Sequence, residues 1–267
     1  MDDIILAHTA TKLHDAKGRV VICGSHGGTY VGLVAAAAGV RAIILNDAGM
    51  GLDNAGIAGL DVCARHGVAA AAVHHTSARI GDAQDTAARG IICAANLVAQ
   101  AAGVTPGMKA AEAAERLRDA PLSSDIPAVG AEHRTERKIG NHRLLILDSN
   151  ALVRPGEDDG AIIVTASHGG LVGGDPASAG RADALLFAFN DAGAGIDDAG
   201  ISRLPALEAR GVAAVCVDAF SAHIGEGQSI YEDGIISHLN APARAKGATQ
   251  GQPLKALIDT IAKTSAS

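Results

Sequence analysis

The sequence predicts an α/β fold built as an internal tandem duplication: two similar Rossmann-like βαβαβα halves with parallel sheets, related by pseudo-twofold symmetry. Three observations predict it. Long segments return in the same order further along the chain, short apolar runs lack polar alternation, and Ala-rich stretches between them end in glycine. GRVVICGSHGG (Gly18–Gly28) returns as GAIIVTASHGG (Gly160–Gly170), and RAIILNDAGMGLDNAGI (Arg41–Ile57) as DALLFAFNDAGAGIDDAGI (Asp183–Ile201). ARHGVAAAAVHHTSARIGD (Ala64–Asp82) returns as EARGVAAVCVDAFSAHIGE (Glu208–Glu226). The offset is 142 at Ser25/Ser167 and 144 from Asn46/Asn190 through Gly103/Gly247, so two residues are inserted within Leu171 to Arg181. Chance similarity among Ala and Gly would not keep rare polar residues in register over such a span.

Taken in order, Ile4 to Ala7 reads as a first strand, then Val20 to Ile22, Ile43 to Leu45 and Val68 to Val73. Such unbroken apolar runs suit parallel strands covered on both faces by helices. Helices are expected at about Tyr30 to Ala38, Ile57 to Arg65 and Thr86 to Ala101, ending at Gly39, Gly67 and Gly103, where a glycine cap belongs. Leu144 to Leu147 opens the second round of strands. The first half is thus placed at 1–120 and the second at 144–267. The polar stretch 121–143, with two prolines and no counterpart, reads as the connection.

Bulk properties exclude several classes. The 267 residues carry 22 Lys plus Arg against 29 Asp plus Glu, a net charge of -7 with no basic block, so no nucleic-acid partner is expected. Trp is absent, and two Tyr and three Phe leave few platforms for bases. The start MDDIILAHTA has neither a basic nor an apolar signal region, and no apolar run could span a bilayer. Cys23, Cys63, Cys93 and Cys216 lie in apolar surroundings without paired spacing. A soluble cytoplasmic protein with a small-molecule substrate and no membrane partner is the expectation, and a homo-oligomer is compatible with it.

In a parallel sheet the strand-to-helix loops share one edge, where helix N-termini and free backbone N–H groups meet ligands. Three shared polar signatures fall there. Ser25-His26-Gly27-Gly28 is copied as Ser167-His168-Gly169-Gly170, and Asn46-Asp47-Ala48-Gly49 as Asn190-Asp191-Ala192-Gly193. The third pairs Ser77 with Ser221. The first signature offers a hydroxyl, an imidazole and glycine amides to a reacting or anionic group; equally, Ser can cap the helix while the glycines allow close packing. Adjacent side chains diverge, so Ser25 and His26 cannot form a relay. His26 beside Asp47, on neighbouring strand ends, is the more natural carboxylate-oriented base. Asn and Asp in the second signature also suit plain turn capping, and capping is the default for Ser77 and Ser221.

The expected catalytic set is therefore His26, His168, Asp47, Asp191, Ser25 and Ser167. Gly27, Gly28, Gly169, Gly170, Asn46, Asn190, Ser77, Ser221, Arg79 and His223 are expected to contact substrate, Arg79 through a carboxylate. The sequence marks no cofactor, and a divalent metal is compatible with it. If a divalent metal is present, His26, His168, Asp47 and Asp191 would hold it, although no HExxH or CxxC spacing supports that. Where the copies differ (Arg79 against His223, His75 against Ala219, Cys93-Ala94 against Ser237-His238), divergence toward one asymmetric substrate and simple drift both account for the change.

Cys23-Gly24-Ser25-His26-Gly27 resembles the nucleophile elbow of hydrolases, with Thr165 in place of Cys23 in the second copy. The doubled layout is similar to that of pseudo-twofold racemases of acidic amino acids, which place Cys on both equivalent loops. An enzyme acting on a small polar metabolite by His/Asp acid–base chemistry is expected, with hydrolysis of an amide or ester the favoured reaction, as the elbow implies, and an isomerase or lyase, as the racemase layout implies, next. A non-catalytic binding protein closing on its ligand is the remaining expectation.

Overall fold

A computed structural model describes residues 4–264; the extreme ends of the two expected halves, 1–3 and 265–267, lie outside the described residues. The chain runs β1 (Ile4–Ala7), β2 (Val20–His26), α1 (Thr29–Ala37), β3 (Ala42–Asn46), α2 (Gly59–Arg65), β4 (Ala69–Val73), α3 (Ala83–Arg89), β5 (Ile92–Ala95), α4 (Leu97–Ala101) and α5 (Ala110–Leu117). It continues with β6 (Arg134–Ile139), β7 (His142–Leu147), β8 (Ile162–His168), β9 (Leu186–Asn190), α6 (Arg203–Glu208), β10 (Ala214–Val217), α7 (Gly227–Asp233), β11 (Ile236–Leu239), α8 (Ala241–Ala245) and α9 (Leu254–Thr264).

Two parallel-dominated sheets result. The first has strand order β1-β2-β3-β4-β5, and the second β11-β10-β9-β8-β7-β6. Each sheet has two buried faces. Along β2 and β3, Val21, Cys23, Ile43 and Leu45 pack on Leu60 and Cys63 of α2, while Val20, Ile22, Ala42 and Ile44 pack on Ala99, Ala113 and Leu117. In the second sheet Leu145, Ile163, Phe187 and Phe189 face Leu204 and Leu207, and the alternate residues Leu144, Ile162 and Leu186 face Leu254, Leu257 and Ile258. The two-residue period of a strand sends successive side chains to opposite faces, so a strand with helices on both sides must be apolar throughout. Each fully buried Leu or Ile adds about 2 kcal/mol of burial free energy.

Three expectations need correction. The sheets are not wholly parallel, because β5 and β11 run antiparallel to β4 and β10, and β6 runs antiparallel to β7. Thr86 to Ala101 is not one helix. It breaks at Gly90, where a Cβ would lie 2.5 Å from the Thr86 carbonyl oxygen, and β5 follows. Asn96 then restarts the chain as α4: its Oδ1 accepts from the N–H of Ala99 and of Ala70, and its Nδ2 donates to the carbonyls of Leu60 and Val68. Asn240 makes the matching bonds to Ala243, Ala214, Leu204 and Val212. Finally, the stretch 121–143 is more than a connection, because it contains β6 and the start of β7. Charged residues along the exposed β6 guard the sheet edge against further pairing. No helix among the described residues is long and apolar enough to cross a membrane.

The sheets meet through their strand-end loops. Leu52 N–H donates to the Ala219 carbonyl at 2.9 Å, Ile196 N–H to that of His75 at 3.0 Å, and Gly173 N–H to that of Gly81 at 2.8 Å. A small apolar cluster of Ala48, Ile80, Ala192, Ala199 and Ile224 fills the junction.

Candidate active site

A cavity of about 470 Å³ opens between the ends of β2 and β8, with Ser25, His26, Ser167 and His168 in its wall. The structure thus brings the two SH pairs to one space. Their chemistry differs from the sequence expectation. Nδ1 of His26 accepts from the Gly28 N–H at 3.1 Å, and Nδ1 of His168 accepts from the Gly170 N–H at the same distance. A neutral imidazole whose Nδ1 accepts must carry its proton on Nε2. Burial holds His26 down to about 4, and it holds His168 well below the usual range, helped by the nearby guanidinium of Arg203. At neutral pH both rings are therefore uncharged donors through Nε2–H, a state suited to polarising an oxygen rather than removing a proton.

The serines are occupied. Ser25 Oγ accepts the Ala10 N–H at 3.0 Å, and Ser167 Oγ accepts the Asn150 N–H at 2.9 Å, anchoring short 3-10 turns after β1 and β7. Among the described residues no imidazole or carboxylate bonds either hydroxyl, so neither has the adjacent base that an activated nucleophile needs. The glycine amides are spent too: Gly27 and Gly169 donate to the carbonyls of Asn46 and Asn190, and Gly28 and Gly170 to the histidines. They form no oxyanion pocket.

Asn46 and Asn190 are fully buried, each bridging its own loop from Ala48 to Ala78 and from Ala192 to Ala222. Ser77 and Ser221 tie turns, donating to the carbonyls of His74 and Asp218 and accepting from Ile91 and Ile235. Arg79 lies on Asp197 at 2.8 Å, and His223 Nε2 on Asp53 at 2.9 Å, both across the junction of the sheets. Arg79 stands outside the cavity wall. His223 borders a smaller pocket of about 200 Å³ on the far side of His26.

Asp47 is not the partner of His26. Its Oδ1 accepts from the Gly49 N–H, the His75 N–H and His75 Nδ1, the last at 2.9 Å. β3 lies between β2 and β4, and the Asp47 N–H bonds the carbonyl of Val73, which sets Asp47 beside the histidines that follow β4 rather than beside His26 at the end of β2. Burial pushes the Asp47 carboxyl up, but the His75 ring and the two N–H groups outweigh it and hold it below the ordinary value. Asp191 accepts from the N–H of Gly193 and Ala219 and from Ser237 Oγ at 2.7 Å. Cys93, the counterpart of Ser237, has its thiol 3.5 Å from Asp47 Oδ2 and is pushed up to about 12 by burial and then by that charge. The expected metal set of His26, His168, Asp47 and Asp191 is thus split, because the histidines face the cavity while the carboxylates are turned into their own loops. The candidate triad is instead Asp47, His74 and His75, whose ligand atoms all lie within 4.8 Å of one another.

Three cavity residues escaped sequence reasoning. Arg203 is 3% exposed, yet it pairs with no acid among the described residues. Its guanidinium bonds the carbonyls of His168, Ser178 and Ala179 and lies over the Phe189 ring at 5.3 Å. Burial lowers it to about 10. The one available signal was its alignment with Gly59, a charge in place of a glycine just after the copied DxAGI segment. Asn150, 8% exposed, has an unpartnered Oδ1. Glu132, from the stretch with no counterpart, joins the wall and is raised to about 7 by burial and then by Asp148.

No protein-family model matches the chain, and neither a curated protein nor a solved structure matches it.

Proposed function

We propose that the chain is an enzyme that moves a proton on a small carboxylate-bearing metabolite in the cavity between its two sheets, as an isomerase or lyase. The observation that carries this reading is Arg203: a guanidinium buried beside the cavity without an acid favours an anionic ligand, because an uncompensated buried charge is costly. The Nε2–H groups of His26 and His168 would donate to a substrate oxygen that gains charge. Glu132, poised near neutrality, would take the proton from the neighbouring carbon, leaving the electron pair on that oxygen, and then return the proton elsewhere. Hydrolysis through Ser25 or Ser167 is less favoured, since both hydroxyls hold backbone and lack a base.

The two halves, we further propose, descend from one duplicated unit and meet about a pseudo-twofold axis. Paired contacts support this: Leu52 to Ala219 answers Ile196 to His75, and Arg79 to Asp197 answers His223 to Asp53.

The test is solvent exchange. The protein is incubated in D2O with a panel of small 2-oxo- and 2-hydroxycarboxylates, and carbon-bound deuterium is followed by NMR. Exchange into at least one acid, lost in Glu132→Gln and in His168→Gln at unchanged fold, is the expected result. Saturable carboxylate binding without exchange would make the protein a carrier. Exchange unaffected by either substitution would place the chemistry elsewhere.

A further inference from the structure

Outside the cavity wall, the loops following β3 and β4 gather a second group of side chains. Consecutive residues on a strand point to opposite faces. His74 and His75 escape that rule because β4 stops at Val73 and the chain turns, the Ser77 N–H bonding the His74 carbonyl. The two rings stack at 4.5 Å with 25° between planes. Both then reach the same buried carboxylate, His75 Nδ1 at 2.9 Å from Asp47 Oδ1 and His74 Nε2 at 4.0 Å from Asp47 Oδ2.

We propose that Asp47, His74 and His75 bind one zinc-class divalent cation per chain. Two imidazoles and a carboxylate, each offering a ligand atom within 4.8 Å of the others, form the donor set of borderline metals rather than of calcium or magnesium. The surroundings suit the role. Asp47 is rigidly held by the N–H groups of Gly49 and His75, which leaves Oδ2 toward His74. His74 Nδ1 accepts the Thr76 N–H at 3.2 Å and lies 2.7 Å from Thr76 Oγ1, which fixes the ring with Nε2 toward Asp47; an ion at Nε2 shifts the ring proton to Nδ1, where Thr76 Oγ1 can accept it. The His74 side chain is 43% exposed and provides the entry path.

The aligned positions of the second sheet do not repeat the set. Asp218 and Ala219 stand there, and Asp191 takes the Ser237 hydroxyl instead, so one ion per chain follows. An ion at this place would also act on the junction of the sheets. The His75 carbonyl accepts the Ile196 N–H at 3.0 Å, and its ring packs so closely that a Cβ on Gly193 would lie 3.1 Å from its Cδ2. Fixing His75 therefore fixes the junction, and the folded state gains stability by mass action.

The experiment titrates zinc chloride into chelator-treated, dialysed full-length protein by calorimetry, with thermal unfolding in parallel. One ion per chain is expected, with a rise in Tm. His74→Ala, at an exposed position, should lose about tenfold or more in affinity at unchanged circular dichroism, the usual range for losing a ligand or its support. His26→Gln and His168→Gln, in the cavity, should bind zinc like the wild type. Absence of 1:1 saturation, equal affinity in His74→Ala, or equal losses in the cavity variants would each overturn the assignment.

Discussion

A Cβ built on Gly49 would lie 3.0 Å from the Cα of Gly193, so the two glycines close the junction of the sheets backbone against backbone. Gly49 also has φ +75°. Gly49→Ala must both strain the left-handed backbone and push a main chain aside, whereas Gly211→Ala (φ +71°, nothing within 4 Å) meets only the first cost. Strain alone costs roughly 1–2 kcal/mol. Urea unfolding should show Gly49→Ala to be the more destabilising by at least about 1 kcal/mol. Equal losses would mean that the junction is loose.

Stability toward acid should report the two cavity histidines. His26 is held down to about 4 in the folded chain against an ordinary 6.5, so the unfolded chain binds the extra proton in that window. The contribution is complete above pH 6.5 and is lost as the pH falls toward 4, worth about 3 kcal/mol. His168 shifts in the same direction. His26→Gln should flatten the fall in unfolding free energy between pH 6.5 and 4. A profile identical to the wild type would show that the ring protonates freely in the folded protein.

Glu132 works in the opposite sense. Its carboxyl is raised to about 7 from an ordinary 4.5, so the folded chain holds a proton that the unfolded chain releases, and stability is lost as the pH rises through that interval. Glu132→Gln is neutral at every pH. Its stability relative to the wild type should therefore climb between pH 5 and 8 in paired chemical denaturation series. A constant difference across that range would remove Glu132 from the role of proton carrier.

Asn96 and Asn240 should prove costly to remove. Each is buried, and each side chain satisfies two N–H groups and two carbonyls that join three elements. Asn96→Ala leaves those groups unpaired in the core, at roughly 3 kcal/mol. The same loss is expected at Asn240, measured by denaturant midpoint at constant m. A loss near zero at either position would mean that water reaches the vacated groups.

Much of the architecture was legible because it rests on local periodicity. Unbroken apolar runs such as Val20 to Ile22 and Ile43 to Leu45 fit strands covered on both faces, and β1 emerged with the bounds expected for it. β5 was missed because Ile91-Ile92-Cys93 sits inside an Ala-rich stretch whose average composition suits a helix. Its pairing with β4 is a non-local contact that no window of sequence contains. The convergence of His26 and His168 was anticipated from their place at strand ends. The partner of Asp47 was not, since β3 has a histidine-bearing strand end on each side and only the folded loop, through the Asp47 N–H to Val73 bond, selects His75 over His26.

What the amino-acid order decided alone was the apolar strands buried on both faces, the glycine ends of the first two helices, and which polar positions recur, because these follow from side-chain period and backbone conformation within a few residues. Only the tertiary structure decided charge and hydrogen-bonding state. Burial made the cavity histidines neutral donors, left Arg203 without an acid, and raised Glu132 toward neutrality. Such states depend on desolvation and on charges contributed by distant segments, and those distances exist only once the chain has folded.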